Sequence, residues 1–201
     1  MTNHVYLVDD DEAVRNALSL LLETVGLTVR SFASPETFLS QVADLTPGCL
    51  ILDIRMPAIS GLKLQEKLTE KDVSWPTVII SGHGDIEACR RAFRNGAIDF
   101  LSKPVDEQDL IDAIQKGHAE LEAHQQALEE RAEAVDLMRN LSAREQQVLE
   151  MIAKGLTTKQ IADALTLSPR TVESHRAAIA AKAGTSSAAE LTRYWLDAHA
   201  D

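Results

Sequence analysis

Apolar residues are spaced in two alternating rhythms along the first half of the chain. Unbroken runs such as Val5-Tyr6-Leu7-Val8, Leu50-Ile51-Leu52 and Val78-Ile79-Ile80 are separated by stretches where apolar positions return every three or four residues. Runs of this length read as strands buried on both faces, and the longer spacing reads as one face of a helix. After the first run, Val14, Leu18, Leu21, Leu22 and Val25 mark a helix that Gly26 ends. Residues 28–33 alternate as a second strand, and Ser34-Pro35 then supply an N-cap and a proline at the first helical position. The run ending at Asp53 is a third strand, followed by a helix from about Gly61 to Thr69. Trp75-Pro76 lead into a fourth strand ending at Ser81, and residues 87–95 form a helix closed by Gly96. Residues 97–102 are a fifth strand, and Asp106 opens a last helix. Five β/α units in this order predict an α/β class fold, a doubly wound (βα)5 domain around a parallel five-stranded sheet.

The last helix is predicted to run long. No proline interrupts residues 109–140, and Gly117 is the one helix-weakening residue there. Ile114, Leu121, Leu128 and Val135 recur every seven residues, but the other seam positions are Gly117, His124, Arg131 and Met138. A strong coiled coil needs both positions apolar. The segment therefore predicts a charged linker helix, either a solvated connector or a dimer contact. Beyond it, Ser142-Ala143-Arg144-Glu145 and Thr157-Thr158-Lys159-Gln160 are capping boxes, and Ser168-Pro169 and Ser187 to Glu190 start two more helices. Two short helices joined by Thr166-Leu167-Ser168 form a helix-turn-helix, with an ordinary four-helix dimerisation domain as the alternative. The expected organisation is an α/β domain over 1–120, a helical linker over 121–140 and an all-α four-helix domain over 141–201.

A length of 201 residues suits two such small domains. The net charge of −11 is unevenly spread: residues 1–140 hold 13 Lys+Arg against 24 Asp+Glu, whereas residues 141–201 hold 7 of each. The acidic part cannot itself favour nucleic acid, so a DNA-binding surface must come from uneven charge within the C-terminal part. No apolar stretch is long enough to span a bilayer, and the N-terminus lacks a basic region followed by a long apolar core. No membrane association and a cytoplasmic location are expected. Cys49 falls in a predicted strand and Cys89 in a predicted helix, both most simply buried free thiols of a reduced compartment.

The candidate chemistry sits where the strands end. If the strands are parallel, one edge of the sheet collects Asp9-Asp10-Asp11, Asp53, Ser81 and Lys103-Pro104. Open α/β sheets bind ligands at that edge. Clustered carboxylates favour a hard divalent cation with oxygen ligands, and Mg2+ suits this best. A carboxylate beside it can act as a nucleophile toward phosphorus, with the Ser81 hydroxyl and Lys103 neutralising phosphoryl oxygens. The plainer alternative makes Asp9 to Asp11 a helix cap and Lys103 a surface lysine, and four matching strand ends weigh against it. A phosphatase of the HAD class would use Asp9-Asp10-Asp11 as its opening motif, with Ser81 and Lys103 in later roles. It leaves Asp53 idle, and Asp106-Glu107 comes too soon to be its second acidic pair. A module that only docks partner proteins is the other alternative, and the helix-turn-helix argues against it.

Asp9-Asp10, Asp53, Ser81 and Lys103-Pro104, at these separations, closely resemble a two-component response-regulator receiver of the CheY-like type, over residues 1 to about 120. The segment Ser81-Gly82-His83-Gly84-Asp85 is similar, more narrowly, to the FixJ branch. The resemblance implies that Asp53 takes phosphate from a sensor histidine kinase and that Lys103 contacts the phosphoryl group. It implies Mg2+ bound by Asp10, Asp53 and the backbone carbonyl of Arg55, with Asp9 in support. Ser81 and Phe100 would be a switch pair, and the Lys103–Pro104 bond would be cis. A dimer face would form from residues 87–94, the last strand and the helix from Asp106, with Arg90, Arg91 and Arg94 facing Asp99, Asp106 and Asp109 across a two-fold. His83 either tunes dephosphorylation or has no role, and His118 and His124 are given none.

Further along, Leu141-Ser142-Ala143-Arg144-Glu145, Val148-Leu149, Gly155, Lys159-Gln160-Ile161-Ala162, Leu165 and residues 168–175 resemble a LuxR-type (NarL/FixJ) helix-turn-helix. This implies binding of double-stranded promoter DNA as a dimer, with the helix from Pro169 in the major groove. Glu173 departs from the family, where that position is often basic, so the base preference cannot be carried over. On a helical wheel Thr171, Val172, His175, Ile179 and Lys182 share the packing face. Arg170, Glu173, Ser174 and Ala177 point away toward base edges, and Lys159 and Arg176 flank them for phosphate contacts. Glu173 either accepts from a cytosine amino group or orients Arg170. As a whole the chain resembles a NarL/FixJ response regulator: a phosphorylation-controlled transcription factor, with no enzyme activity beyond receiver self-phosphorylation, and with RNA polymerase as a further candidate partner.

Overall fold

The computed structural model describes residues 3–82 and 86–200. Five parallel strands, β1 (His4–Val8), β2 (Thr28–Phe32), β3 (Cys49–Asp53), β4 (Thr77–Ser81) and β5 (Ala97–Ser102), form one sheet in the order β2-β1-β3-β4-β5. The helices between them are α1 (Glu12–Thr24), α2 (Pro35–Leu39), α3 (Gly61–Thr69) and α4 (Ile86–Arg94), with a short 3-10 turn at Val42–Asp44. After β5 comes α5 (Glu107–Asn140), then α6 (Ala143–Ala153), α7 (Thr158–Leu165), α8 (Pro169–Ala183) and α9 (Ala188–Ala198). The chain divides into two compact units between His124 and Gln125.

Side chains alternate across a strand, and both faces of this sheet are covered. Tyr6, Val8, Leu50, Leu52 and Ile79 pack on one face with Phe38 of α2, Leu62, Leu64 and Leu68 of α3, and Ala88 and Ala92 of α4. Val5, Leu7, Cys49, Ile51, Val78 and Ile80 pack on the other with Leu22 of α1 and Leu110, Ala113 and Ile114 of α5. The continuous runs that identified the strands are thus two interleaved apolar faces. The edge strand β2 has only Phe32 fully buried, in keeping with its alternating sequence.

Gly117 has a role that the helix-weakening reading missed. A β-carbon there would lie 2.9 Å from Cys49 Sγ, 2.9 Å from Ile98 Cδ1 and 3.1 Å from Pro76 Cβ. The residue lets α5 approach the sheet closely. The Cys49 thiol beneath it is pushed up to about 12 by burial, with the Glu120 charge adding to the effect, and is inert at neutral pH. His118, given no role by the sequence, has its Nε2 3.0 Å from the backbone oxygen of His4. The seven-residue repeat along α5 is also not one seam. Ile114 and Leu121 are buried in the first unit, Val135 is half-buried in the second, and Leu128 between them is 54% exposed.

The second unit packs Val148, Leu149 and Ile152 of α6, Ile161 and Ala162 of α7, Val172 and Ile179 of α8 and Leu191 of α9 around one core. Both capping boxes form, Ser142 with Glu145 and Thr157 with Gln160. Glu145 is buried and pairs with Lys182 of α8 at 2.8 Å, while its carboxylate also accepts from the Ser142 N–H. The hydrogen bond from Lys182, then that from Ser142, hold the Glu145 carboxyl down at about 2, against an ordinary value of 4.5. A carboxylate held low favours the folded state wherever it is charged in both states. The Glu145 contribution is therefore complete above about pH 4.5 and is lost as pH falls toward 2. Glu145→Gln keeps a capping side chain but removes the charge. In chemical unfolding, the stability lost in this variant should be largest near neutral pH and should shrink to nothing toward pH 2. A difference independent of pH would contradict the assignment.

Candidate functional site

The sheet register brings the strand ends into one row. Val8 pairs with Leu52 and Asp53 with Ile80, so Asp9 and Asp53 follow their strands side by side and Ser81 is the next residue along β4. Lys103 joins them from β5, its N–H donating to the Ser81 carbonyl at 2.7 Å. Its ammonium lies 2.7 Å from Asp9 Oδ2 and 2.7 Å from Asp53 Oδ1, bridging the two. Asp53 Oδ2 accepts the Arg55 N–H at 2.7 Å, and Asp9 Oδ1 accepts the Asp11 N–H at 2.9 Å. Asp9, Asp53 and Ser81 are buried, whereas Asp10 is exposed. Asp9, Asp53 and Lys103 line a cavity of about 230 Å³ together with Asp10, Asp11, Arg55 and Gly82.

The three consecutive aspartates are divided in their use. Asp11 is the N-cap of α1, accepting from the Ala13 and Val14 N–H groups at 2.8 and 3.3 Å. The helix-cap alternative therefore holds for Asp11 and not for Asp9, whose oxygens are spent on Lys103 and the loop. Burial pushes the Asp53 carboxyl above its ordinary value and the Asp9 charge adds to this, while Lys103 and the Arg55 N–H offset part of it. For Lys103, burial favours the neutral amine, but its bonds to the Asp53 and Asp9 carboxylates outweigh it and the ammonium is held more firmly than usual. Phe100 is half-buried against the face that holds α3 and α4. The Lys103–Pro104 peptide is cis. His83 lies outside the described residues.

Among the described residues, no three carboxylate, thiol or imidazole groups stand together as a ready metal cluster. The donor set still suits a hard cation. Asp9, Asp10 and Asp53 are three carboxylates against one ammonium, all the donors are oxygens, and Asp10 faces solvent where water can complete a shell.

Two residues that shape this edge carried no sequence signal. A β-carbon on Gly61 would come within 2.2 Å of the Asp53 carbonyl oxygen, so only glycine lets α3 start against the end of β3. Arg15 reaches back from α1 to donate to the Asp9 carbonyl at 2.8 Å, fixing the loop of aspartates. The sequence marks Gly61 only as a helix start, and no spacing rule links Arg15 to Asp9.

The exposed face of α4 shows Ile86 at 73% and Phe93 at 48% exposure, flanking the exposed Arg90. Of the three arginines expected to cross a two-fold, Arg91 is engaged by Glu66 of α3 at 3.3 Å and Arg94 by Glu87 at 3.5 Å.

In the second unit the expected packing face of α8 buries Val172 and Ile179 and half-buries Thr171 and His175, and Lys182 is held by Glu145. Arg170, Glu173, Ser174 and Ala177 are exposed, as is Lys159, and Arg176 is half-buried. The Ser174 hydroxyl donates back to the Arg170 carbonyl at 3.1 Å. Glu173, expected either to accept from a cytosine amino group or to orient Arg170, has its Oε1 accepting from the Thr158 hydroxyl of α7 at 2.6 Å. No helix among the described residues is long and apolar enough to cross a membrane.

Comparison with known proteins agrees with both halves of this geometry. Residues 5–115 match the response regulator receiver domain family, and residues 139–195 match the LuxR family of bacterial regulatory proteins. The chain is 43% identical over 189 residues to the response regulator protein TmoT of Ectopseudomonas mendocina, covering 94% of this chain and 86% of that protein. It is 38% identical over 194 residues to the transcriptional regulatory protein FixJ of Rhizobium meliloti, covering 96% and 95%. Among solved structures it is similar to the response regulator StyR, with a TM-score of 0.81 at 42% identity over 97% of this chain and 98% of that one. A buried aspartate bridged by lysine at a parallel sheet edge and a capped helix-turn-helix thus occur in one chain whose relatives match it nearly end to end, and the protein belongs to the response regulators with a receiver and a LuxR-type DNA-binding domain, the transcriptional regulators of two-component systems.

Proposed function

We propose that Asp53 is the phosphoacceptor of a cytoplasmic regulator with a receiver over 1–120, a helical linker over 121–140 and a DNA-binding domain over 141–201. The observation that carries this reading is the placement of Asp53 at the end of the central strand, buried, with Lys103 spanning from it to Asp9. An Asp53 carboxylate oxygen attacks the phosphorus of a phosphohistidine on a sensor kinase. The new P–O bond forms as the P–N bond breaks, and its electron pair returns to the imidazole nitrogen, which takes a proton from water. Lys103 and the Ser81 hydroxyl offset charge on the phosphoryl oxygens. Mg2+, held by Asp10, Asp53 and the Arg55 carbonyl with Asp9 in support, would supply further charge neutralisation there.

The phosphoryl group brings a charge of about −1.5 to −2 at neutral pH and several acceptor oxygens. It competes for Lys103, which now bridges two carboxylates, and draws the Ser81 hydroxyl inward. Phe100, half-buried on β5 opposite Ile79, follows into the vacated space and alters the α4–β5 surface. Exposed Ile86 and Phe93 with Arg90 between them supply an apolar patch with a positive centre for a second copy, and Asp99, Asp106 and Asp109 supply the opposite charge. The dimer then presents two copies of α8 to half-sites of promoter DNA about one helical turn apart. Arg170, Glu173, Ser174 and Ala177 meet base edges, and Lys159 and Arg176 meet phosphates. Contact with RNA polymerase follows from a role in transcription.

Arg90→Glu tests the dimer surface without disturbing the Arg91–Glu66 pair. Like charges across an interface cost upward of about 1.4 kcal/mol, or about tenfold in dissociation constant. In sedimentation with acetyl phosphate and Mg2+, the wild type should shift to dimer and Arg90→Glu should need about tenfold more protein. A wild type equally dimeric with and without phosphodonor, or an unaffected variant, would reject the surface.

A further inference from the structure

We infer that Thr158 is a positioning residue for DNA sequence discrimination, holding the Glu173 carboxylate in the orientation from which it reads one base of each half-site. The inference rests on the proposed seating of α8 in the major groove and adds a residue from outside that helix. Thr158 is the first residue of α7, and its hydroxyl is not needed for the cap, because Thr157 and Gln160 make that capping box between themselves. The hydroxyl instead crosses to α8 and donates to Glu173 Oε1 at 2.6 Å, fifteen positions along the chain.

Three physical effects make this contact directional. Thr158 is β-branched and sits in helical backbone, so its hydroxyl has few orientations. The N-terminal end of α7 carries partial positive charge, which favours a carboxylate. Glu173 is exposed at the helix surface, and an untethered glutamate there would be driven away by phosphates and would lose side-chain entropy on becoming ordered. With Oε1 engaged by the hydroxyl, Oε2 remains to accept from a cytosine amino group. The tether thus resolves how an acidic side chain can serve on a surface that faces a polyanion.

The test measures affinity of the phosphorylated full chain for its selected site and for single-base variants, at several salt concentrations. Glu173→Ala should relax preference at one position in each half-site. Thr158→Val keeps the shape and removes the hydroxyl. It should relax the same position by about fivefold, the value of one hydrogen bond, without altering the salt slope. Thr158→Ser should restore discrimination, and Thr158→Val with Glu173→Ala should be no worse than Glu173→Ala alone. If Glu173→Ala relaxes a position and Thr158→Val does not, the positioning role is overturned while base reading stands. A uniform loss over all sequences with a shallower salt dependence in Thr158→Val would make Thr158 a phosphate contact instead, and also overturns it. An unchanged motif in Glu173→Ala overturns base reading by that face, and the positioning role with it. Arg176→Ala serves as the phosphate-contact reference, weakening all sequences similarly and flattening the salt slope.

Discussion

Asp53→Asn is expected to reduce labelling by a small phosphodonor to background and to cancel any gain in DNA affinity that phosphorylation confers. The neighbouring carboxylates cannot substitute, for separate reasons. Asp11 is committed to the α1 N-terminus, where it accepts two backbone N–H groups. Asp9 is the more deeply buried of the bridged pair and follows β1 rather than the central strand. Asp10 is exposed and makes the open side of the cavity, a place suited to a hydrated cation. Asp53 alone stands on the central strand, with β1 carrying Asp9 on one side and β4 carrying Ser81 on the other. The variant keeps the shape of the side chain, and removing one of two carboxylates around Lys103 should leave the fold intact. Labelling of Asp53→Asn at wild-type stoichiometry would place the phosphoacceptor elsewhere. Asp10→Asn should retain Asp53 but weaken the Mg2+ dependence of labelling, which separates the nucleophile from the cation ligand.

The second large effect is on stability, at Gly117. In an open helix, glycine to alanine gains up to about 1 kcal/mol. Here the added carbon would meet Cys49 Sγ and Ile98 Cδ1 at 2.9 Å and Pro76 Cβ at 3.1 Å, all within a close-packed face of the sheet. Overpacking of this kind costs about 1–3 kcal/mol. Gly117→Ala should therefore be close to neutral or mildly destabilising, and Gly117→Val, which adds two more carbons and a β-branch, should lose about 2 kcal/mol or more. Urea unfolding checks this. Cys49→Ala should relieve part of the cost when combined with Gly117→Ala, since the sulfur is one of the two closest atoms. If Gly117→Val were as stable as the wild type, α5 would not pack as closely on β3 and β5 as the structure shows.

The strands and the acidic edge were legible because parallel strands buried on both faces leave continuous apolar runs, and their ends fall where the runs stop. Asp53, Ser81 and Lys103 needed no more than that and the rule that parallel ends share an edge. Capping boxes at Ser142 and Thr157 were legible because they are closed within four residues. What depended on two distant elements coming close was not legible. Gly61 and Gly117 matter through the atoms that press on them, and Arg15 and Thr158 through partners chosen by the tertiary fold. The burial of the seven-residue repeat in α5 was not legible for a related reason. Two separate cores use one helix: Leu121 is buried in the first and Met138 packs on the second, and the exposed Leu128 between them continues neither. Arg91 and Arg94 likewise pair with Glu66 and Glu87, partners that the fold and not the spacing supplies.

The central claim is that phosphorylation at the sheet edge controls DNA binding by the C-terminal helices. Its most direct test is a DNA-binding isotherm for the full-length wild type and Asp53→Asn, each with and without acetyl phosphate and Mg2+, with oligomeric state recorded in the same samples. The account predicts that the phosphodonor shifts the wild-type isotherm to lower protein concentration together with the appearance of dimer, and leaves Asp53→Asn unmoved on both readouts. Coincident isotherms for the wild type with and without phosphodonor, at confirmed phosphorylation, would contradict it.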